Sequence, residues 1–191
     1  MLLPGCISNK PSAEEKGFSA MEKYPQFINI SKEWRNDSVL SYLLGSSLSK
    51  IMHVSLWEYY FISPSSAQRI NNGTAYDTMQ IVLYANGSYK CLNWTQGYNY
   101  TIVDWYIDSN IALQIMTSIP EVKNYTKEDG VYLSELNLVA ASSDNIINIV
   151  SGLDGNEPIW YGEWDSSHIP FSDKGGMAVW ISAKDGRILF H

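Results

Sequence analysis

Thr78-Met79-Gln80-Ile81-Val82-Leu83-Tyr84-Ala85-Asn86-Gly87-Ser88-Tyr89-Lys90-Cys91-Leu92 carries the strongest structural signal in the chain. Strict alternation places Met79, Ile81 and Leu83 on one face, the pattern of a half-buried strand. Asn86-Gly87 tolerates the positive φ angles of a tight hairpin, so residues 88–94 are expected to return antiparallel. The same chemistry recurs near the C-terminus, where a strand over 177–183 runs into Lys184-Asp185-Gly186-Arg187 and closes with Ile188-Leu189-Phe190. Working outward, the β-branched and aromatic run 54–61 reads as a strand, as do 99–107, 132–140 and 159–164.

Two helices are expected to accompany these strands. Asn36-Asp37-Ser38 supplies capping side chains, and Val39, Leu40, Leu43, Leu44, Leu48 and Ile51 recur at three- and four-residue intervals, which predicts a helix over 37–50. Asp108-Ser109 opens a second stripe of Ile111, Ala112, Ile115, Met116 and Ile119, ended by Pro120. Residues 65–70 and 142–147 both read as short Ser-capped helical turns. The order helix, strands, hairpin thus occurs twice, predicting an α+β fold with a helix packed on an antiparallel sheet in each of two divergent copies, 21–107 and 108–191, behind a flexible tether over 1–20. The alternative is a single sheet whose halves share common turn chemistry, and the unequal spacings between the caps and between the hairpin glycines count against the duplication without displacing it.

The composition narrows the function. The net charge is −7 and only 17% of residues are charged, which excludes a nucleic-acid surface, since phosphate contacts need clustered Lys and Arg. No apolar run approaches the roughly 20 residues of a membrane-spanning helix, so the folded part is expected to be soluble. Leu2-Leu3-Pro4-Gly5-Cys6 reads as the end of a lipoprotein signal whose upstream part is absent, with Cys6 the acylated anchor. Seven Asn-x-Ser/Thr triplets begin at Asn29, Asn36, Asn72, Asn86, Asn93, Asn99 and Asn124; chance predicts about two for this content of Asn, Ser and Thr. Tether and triplets together point to the outer face of a cell membrane, lipid-anchored, with glycosylation at those asparagines. Cys91 sits in an expected strand, where a single Cys behaves as a small buried hydrophobe.

The second half resembles the PepSY and PepSY-like domains of exported prokaryotic proteins. The matching residues are Ile107-Asp108-Ser109 with Ala112, Pro158-Ile159-Trp160, and Val179-Trp180-Ile181-Ser182-Ala183-Lys184-Asp185-Gly186-Arg187-Ile188. Ser182 stands where the family often has Asp, and Asp185 where Thr is frequent. The match spans 108–190 and, more faintly, 37–94. It implies a cystatin-like helix on an antiparallel sheet, an exported location, and a non-catalytic role in binding a ligand or inhibiting a protease at the cell surface. A protein or peptide partner follows from that resemblance, and no cofactor does.

Catalysis at neutral pH usually recruits His, Cys or paired carboxylates, and the chain has three His: His53, His168 and His191. His168 follows Trp164-Asp165-Ser166-Ser167 with Asp173 nearby, so a metal-dependent or hydrolytic enzyme centred there is the rival to a binding module. A structural envelope protein is a third reading. Aromatics are the other carrier of function. Trp57, Tyr59, Tyr60, Trp94, Tyr98, Trp105, Tyr106, Trp160, Tyr161, Trp164 and Trp180 exceed the needs of one small core, which predicts that some rings are partly exposed, or lie between the two halves, and contact a partner, with Trp57, Tyr59, Trp105, Trp160 and Trp164 as the candidates. Cross-strand pairing inside the sheet is the competing account of the same rings.

Overall fold

A computed structural model describes residues 7–8, 18–46, 54–70, 73–96, 100–141, 153, 155, 157–166 and 176–190. Both glycine-centred hairpins form. Gly87 has φ +81° and Gly186 φ +77°, the left-handed region open to glycine. Asn86 and Asp185 do not share that region. Each uses its side chain instead: Asn86 Oδ1 accepts the Ser88 N–H at 2.9 Å and Asp185 Oδ1 accepts the Arg187 N–H at 2.9 Å. The expected paired positive φ of an Asn-Gly turn is thus replaced by one left-handed glycine beside an Asx turn.

The strands are β1 (Ile7–Ser8), β2 (Val39–Ser46), β3 (Leu56–Ile62), β4 (Gln68–Ile70), β5 (Gly73–Tyr84), β6 (Tyr89–Gln96), β7 (Val131–Ala140), β8 (Pro158–Ser166), β9 (Met177–Ser182) and β10 (Ile188–Phe190). The helices are α1 (Ala20–Trp34), α2 (Ser109–Ser118) and α3 (Pro120–Tyr125). One antiparallel sheet runs β1-β6-β5-β3-β2-β7-β8-β9-β10, with β4 hydrogen-bonded to β5. The class is α+β. A helix followed by a four-strand meander occurs twice, and the first strands of the two meanders, β2 and β7, pair along a seam.

Three expectations are overturned. The helix expected over 37–50, whose residues 47–50 lie outside the described residues, is in its described part a turn followed by strand β2. Its Leu40 and Leu43 are both buried, three positions apart, because the ladder register shifts between Leu40 and Tyr42. A β-bulge adds one residue to a period of two and so imitates the spacing of a helical face. β7 does the same between Leu133 and Glu135, leaving Leu133 and Leu136 buried. The first helix lies earlier, at α1, burying Ala20, Phe27 and Ser31 with Met21, Tyr24, Ile28 and Trp34 packed beside them; Pro25 inside it hides the pattern from propensity. The strand expected over 99–107 is an irregular crossing in its described part, 100–107. Ile102 and Trp105 are buried at a spacing of three. The Ile102 N–H donates to Leu40 O at 2.8 Å, and the Tyr106 and Ile107 N–H groups both donate to Ala183 O at 2.9 Å. The turn expected over 65–70 is a single 3₁₀ turn, Pro64–Ser66, followed by β4; 142–147 lies outside the described residues.

All helices pack on one face of the sheet. Where the two halves meet, the N-termini of α1 and α2 adjoin: the Ala20 N–H donates to Ser109 Oγ at 2.9 Å, and Asp108 Oδ1 accepts from Met21 N at 3.0 Å and Ser109 N at 2.7 Å. One carboxylate therefore serves the positive ends of two helix dipoles. Beneath them Trp57 Nε1 donates to Phe18 O and Trp160 Nε1 to Ile107 O, both at 2.7 Å, and the two indoles meet edge to face at 6.2 Å. Phe18 and Ile107 each stand two residues before a helix starts, and each packs on the hairpin glycine of its own half, Gly87 or Gly186.

Candidate functional site

The five aromatics expected at a contact surface are core residues. Trp57 is 2% exposed, Tyr59 0%, Trp105 7%, Trp160 0% and Trp164 1%. Register explains why, since Trp57 faces Leu83 and Gly45, while Trp160 faces Ile181 and Leu138, all on the helix-covered side. Trp57, Trp105 and Trp160 lie where the halves join, with Trp105 and Trp160 5.8 Å apart. These buried rings pack together where the halves meet.

Alternation sends a different set of side chains to the helix-free face. Registered pairs build one row across it, Leu44 beside Asn137, then Tyr161, Trp180 and Phe190. Tyr161 and Trp180 are 4.9 Å apart, and Trp180 and Phe190 5.2 Å. A second aromatic group lies toward β6, where Tyr60 sits 5.6 Å from Tyr42 and 6.0 Å from Trp94. Trp94 and Phe190 are exposed. Such aromatics offer large contact area at low side-chain entropy cost.

Carboxylates lie between and beside these rings. Glu135 and Glu163 stand directly opposite one another across β7 and β8, an arrangement that repels in a sheet. Asp165 follows on the same face of β8, and Glu58 occupies β3. Each glutamate is hydrogen-bonded by a neutral neighbour: Glu135 by Asn137 Nδ2 at 2.8 Å, Glu163 by the Tyr161 hydroxyl, and Glu58 by the Tyr60 hydroxyl and Gln80 Nε2. Among the described residues the ion pairs are Arg35–Asp77 at 2.8 Å and Arg187–Glu157 at 3.4 Å, neither involving these groups. Asn137 is 4% exposed, and its Oδ1 is buried without a hydrogen-bond partner. Burial, the hydrogen bond to Glu163 and the charges of Glu163, Glu135 and Asp165 push the Tyr161 phenol far above its ordinary value. Burial, with Glu58 beside it, does the same to Tyr60. Both stay protonated donors at any physiological pH.

Sequence reasoning missed this face because Glu135 and Glu163 become neighbours only through the β7–β8 register; the available signal was the alternation of Tyr161, Glu163 and Asp165 within one strand. The other expected positions divide. Asn29, Asn36, Asn86, Asn93 and Asn124 are all exposed, and none lies on the helix-free face: Asn29 belongs to α1, Asn36 to the turn after it, Asn124 to α3, Asn86 to a hairpin, and Asn93 pairs with the inward Met79. Asn72, Asn99, Cys6, His53, His168 and His191 lie outside the described residues. Cys91 is half-buried on the helix side, packed against the core. Among the described residues no group of three or more His, Cys, Asp or Glu is disposed to hold a metal, and no helix is long and apolar enough to cross a membrane.

No protein-family model matches the chain, and no curated protein or solved structure matches it either.

Proposed function

We propose that this chain is a lipid-tethered, non-catalytic binding module at the cell surface, built from two divergent copies of a PepSY-like unit, and that it engages a protein partner through the helix-free face of its sheet. The observation that carries the reading is the cross-strand row Asn137, Tyr161, Trp180 and Phe190, bordered by carboxylates, on the face the helices leave uncovered. Tyrosines held protonated, each already donating its one O–H to a neighbouring glutamate, are ill-suited to proton transfer near neutrality, which favours recognition over catalysis.

The two-copy reading draws support from matched details. Ala20 and Ser109, 89 positions apart, each open a helix. Ser41 and Ser134 each sit at a bulge, Trp57 and Trp160 each bond the carbonyl two residues before a helix, and Gly87 and Gly186 each turn a hairpin. The unequal cap spacing seen in the sequence came from placing the first cap at Asp37, in the turn before β2, when α1 starts at Ala20. Exposure of all five described sequon asparagines suits glycosylation, and Cys6 is the expected acylation site.

Baits made from the whole protein and from its Tyr161→Ala/Trp180→Ala variant, applied to a native envelope extract, test the reading. An envelope protein retained by the wild type and lost by the variant supports it; equal retention, or turnover of an envelope substrate by the purified chain, overturns it. Intact mass from the native host reads the lipid and glycans directly, and the unmodified polypeptide mass would remove both.

A further inference from the structure

We propose that the helix-free face docks an extended protein segment bearing lysine or arginine side chains, with its cations seated over Glu135, Glu163 and Asp165 and its stems lying along Tyr161 and Trp180. This deepens the binding-module reading and rests on it.

Charge complementarity argues for this occupant. Among the described residues the face carries Glu58, Glu135, Glu163 and Asp165, while its cations, Lys90 on β6 and Arg69 beside Thr74 on β4, stand at the far side. Its carboxylates accept hydrogen bonds from amide and phenol groups, while among the described residues none is neutralised by a cation. Two glutamates held opposite one another cost stability in the isolated protein, and an ammonium or guanidinium between them would relieve the repulsion.

A second observation is independent of charge. Asn137 Oδ1, on the same face and more than nine-tenths buried, lacks a donor. Its amide is tied to Glu135 through Nδ2, which fixes the orientation of the group and leaves Oδ1 with an unmet acceptor beside the carboxylates. The aromatic row fits a peptide better than a small free cation, because Trp180 and Phe190 extend the surface beyond the carboxylates and would take aliphatic stems or a cation over the ring. The described sequon asparagines all avoid this face, so glycans on them would leave free the part that Leu153 does not already cover beside Val139 and Ile159.

The test uses the full chain and a fluorescent ten-residue peptide alternating Lys and Thr, with its Glu-Thr counterpart and spermidine as comparators. Saturable binding of the Lys peptide is expected, weakening as salt rises from about 0.05 to 0.5 M. Glu135→Gln/Glu163→Gln should weaken it about tenfold or more, while Glu33→Gln/Glu121→Gln, removing the same charge from the helix side, should leave it within about twofold. Removing the opposed charges should not lower the melting temperature, so loss of binding is separable from loss of folding. Equal weakening by both variants, absence of saturable binding, or spermidine binding as tightly as the peptide overturns the proposal. An envelope partner captured through Tyr161 and Trp180 but indifferent to Glu135→Gln/Glu163→Gln would sink this inference while leaving the binding module standing.

Discussion

In the half that opens at Phe18, the space between helix and sheet is filled by aromatics: the Tyr59 hydroxyl reaches Ala20 O at 2.8 Å, and Phe27 meets the Tyr59 ring edge to face at 4.9 Å. In the half that opens at Ile107, the strand position two residues after the corresponding tryptophan is Gly162. A Cβ there would lie 2.7 Å from Met116 Sδ and 3.2 Å from the Trp164 ring. The indole of Trp164 and the thioether of Met116 crowd Gly162, where the first half has Tyr59 and Phe27 in edge-to-face contact. The frame of strand, bulge, helix start and hairpin is kept, and the filling is exchanged. What the frame requires is the tryptophan bound to the chain before the helix and the close passage of strands at the seam; the remaining core needs only the right volume.

The comparison breaks first at the tryptophans. Trp57→Ala and Trp160→Ala should each cost about 3–5 kcal/mol, read by chemical denaturation, and a much smaller loss for one would show that the halves do not share this support. Gly45→Ala comes next. Its Cβ would sit 2.6 Å from the Trp57 ring and 2.8 Å from the Leu136 carbonyl oxygen, which the ladder fixes, so a loss of about 2–3 kcal/mol is expected. Gly162→Ala should cost less than half of that, because the Met116 side chain can move aside. Asp108→Ala should lose about 1–2 kcal/mol, since both helix starts lose an acceptor. Amide exchange should then quicken at Met21 as well as Ser109.

Smaller effects sharpen the same contrast through pH. Burial, with the charges of Asp108 and Glu22, holds the Tyr59 phenol far above its unfolded value of about 10. Its contribution to stability is full below pH 10 and is lost as pH rises toward the folded value, at about 1.4 kcal/mol per pH unit. Tyr59→Phe should cost about 1 kcal/mol at neutral pH and reduce the alkaline slope by its share, leaving the part that Tyr60 and Tyr161 contribute from the other face of the sheet. At the acid end, the backbone N–H of Ser65 and the hydroxyls of Ser65 and Ser63 hold the Asp37 carboxyl at about 2. That contribution is present above about pH 3.8 and is lost as pH falls through 2, so Asp37→Asn should lose less stability than the wild type between pH 4 and 2.

Strands β3, β5, β7, β8 and β9, both hairpins and α2 were legible because alternation and turn chemistry are local. What stayed hidden was set by contacts distant in sequence. Leu40 and Leu43 look helical until the partner strands reveal the bulge at Ser41. Asp108 was legible as a cap for its own helix, whereas its second client, Met21, depends on how α1 packs. The alternation that marks Trp57 and Trp160 as sharing a face with other apolar residues was visible too, but which face the helices cover was not, and these rings proved to be buried under them.

The seam between β2 and β7 has one further implication. Its registered pairs Leu43–Leu138 and Gly45–Leu136 flank Leu44–Asn137 symmetrically, so the two strands are related by a local dyad at that central pair. Severing the chain in the crossing between Tyr100 and Ile107 would give two fragments, each with a long, unsatisfied strand at its border. Such fragments are built for complementation: mixed, they should reconstitute the sheet across the dyad, and alone, each could satisfy its border with a second molecule of itself.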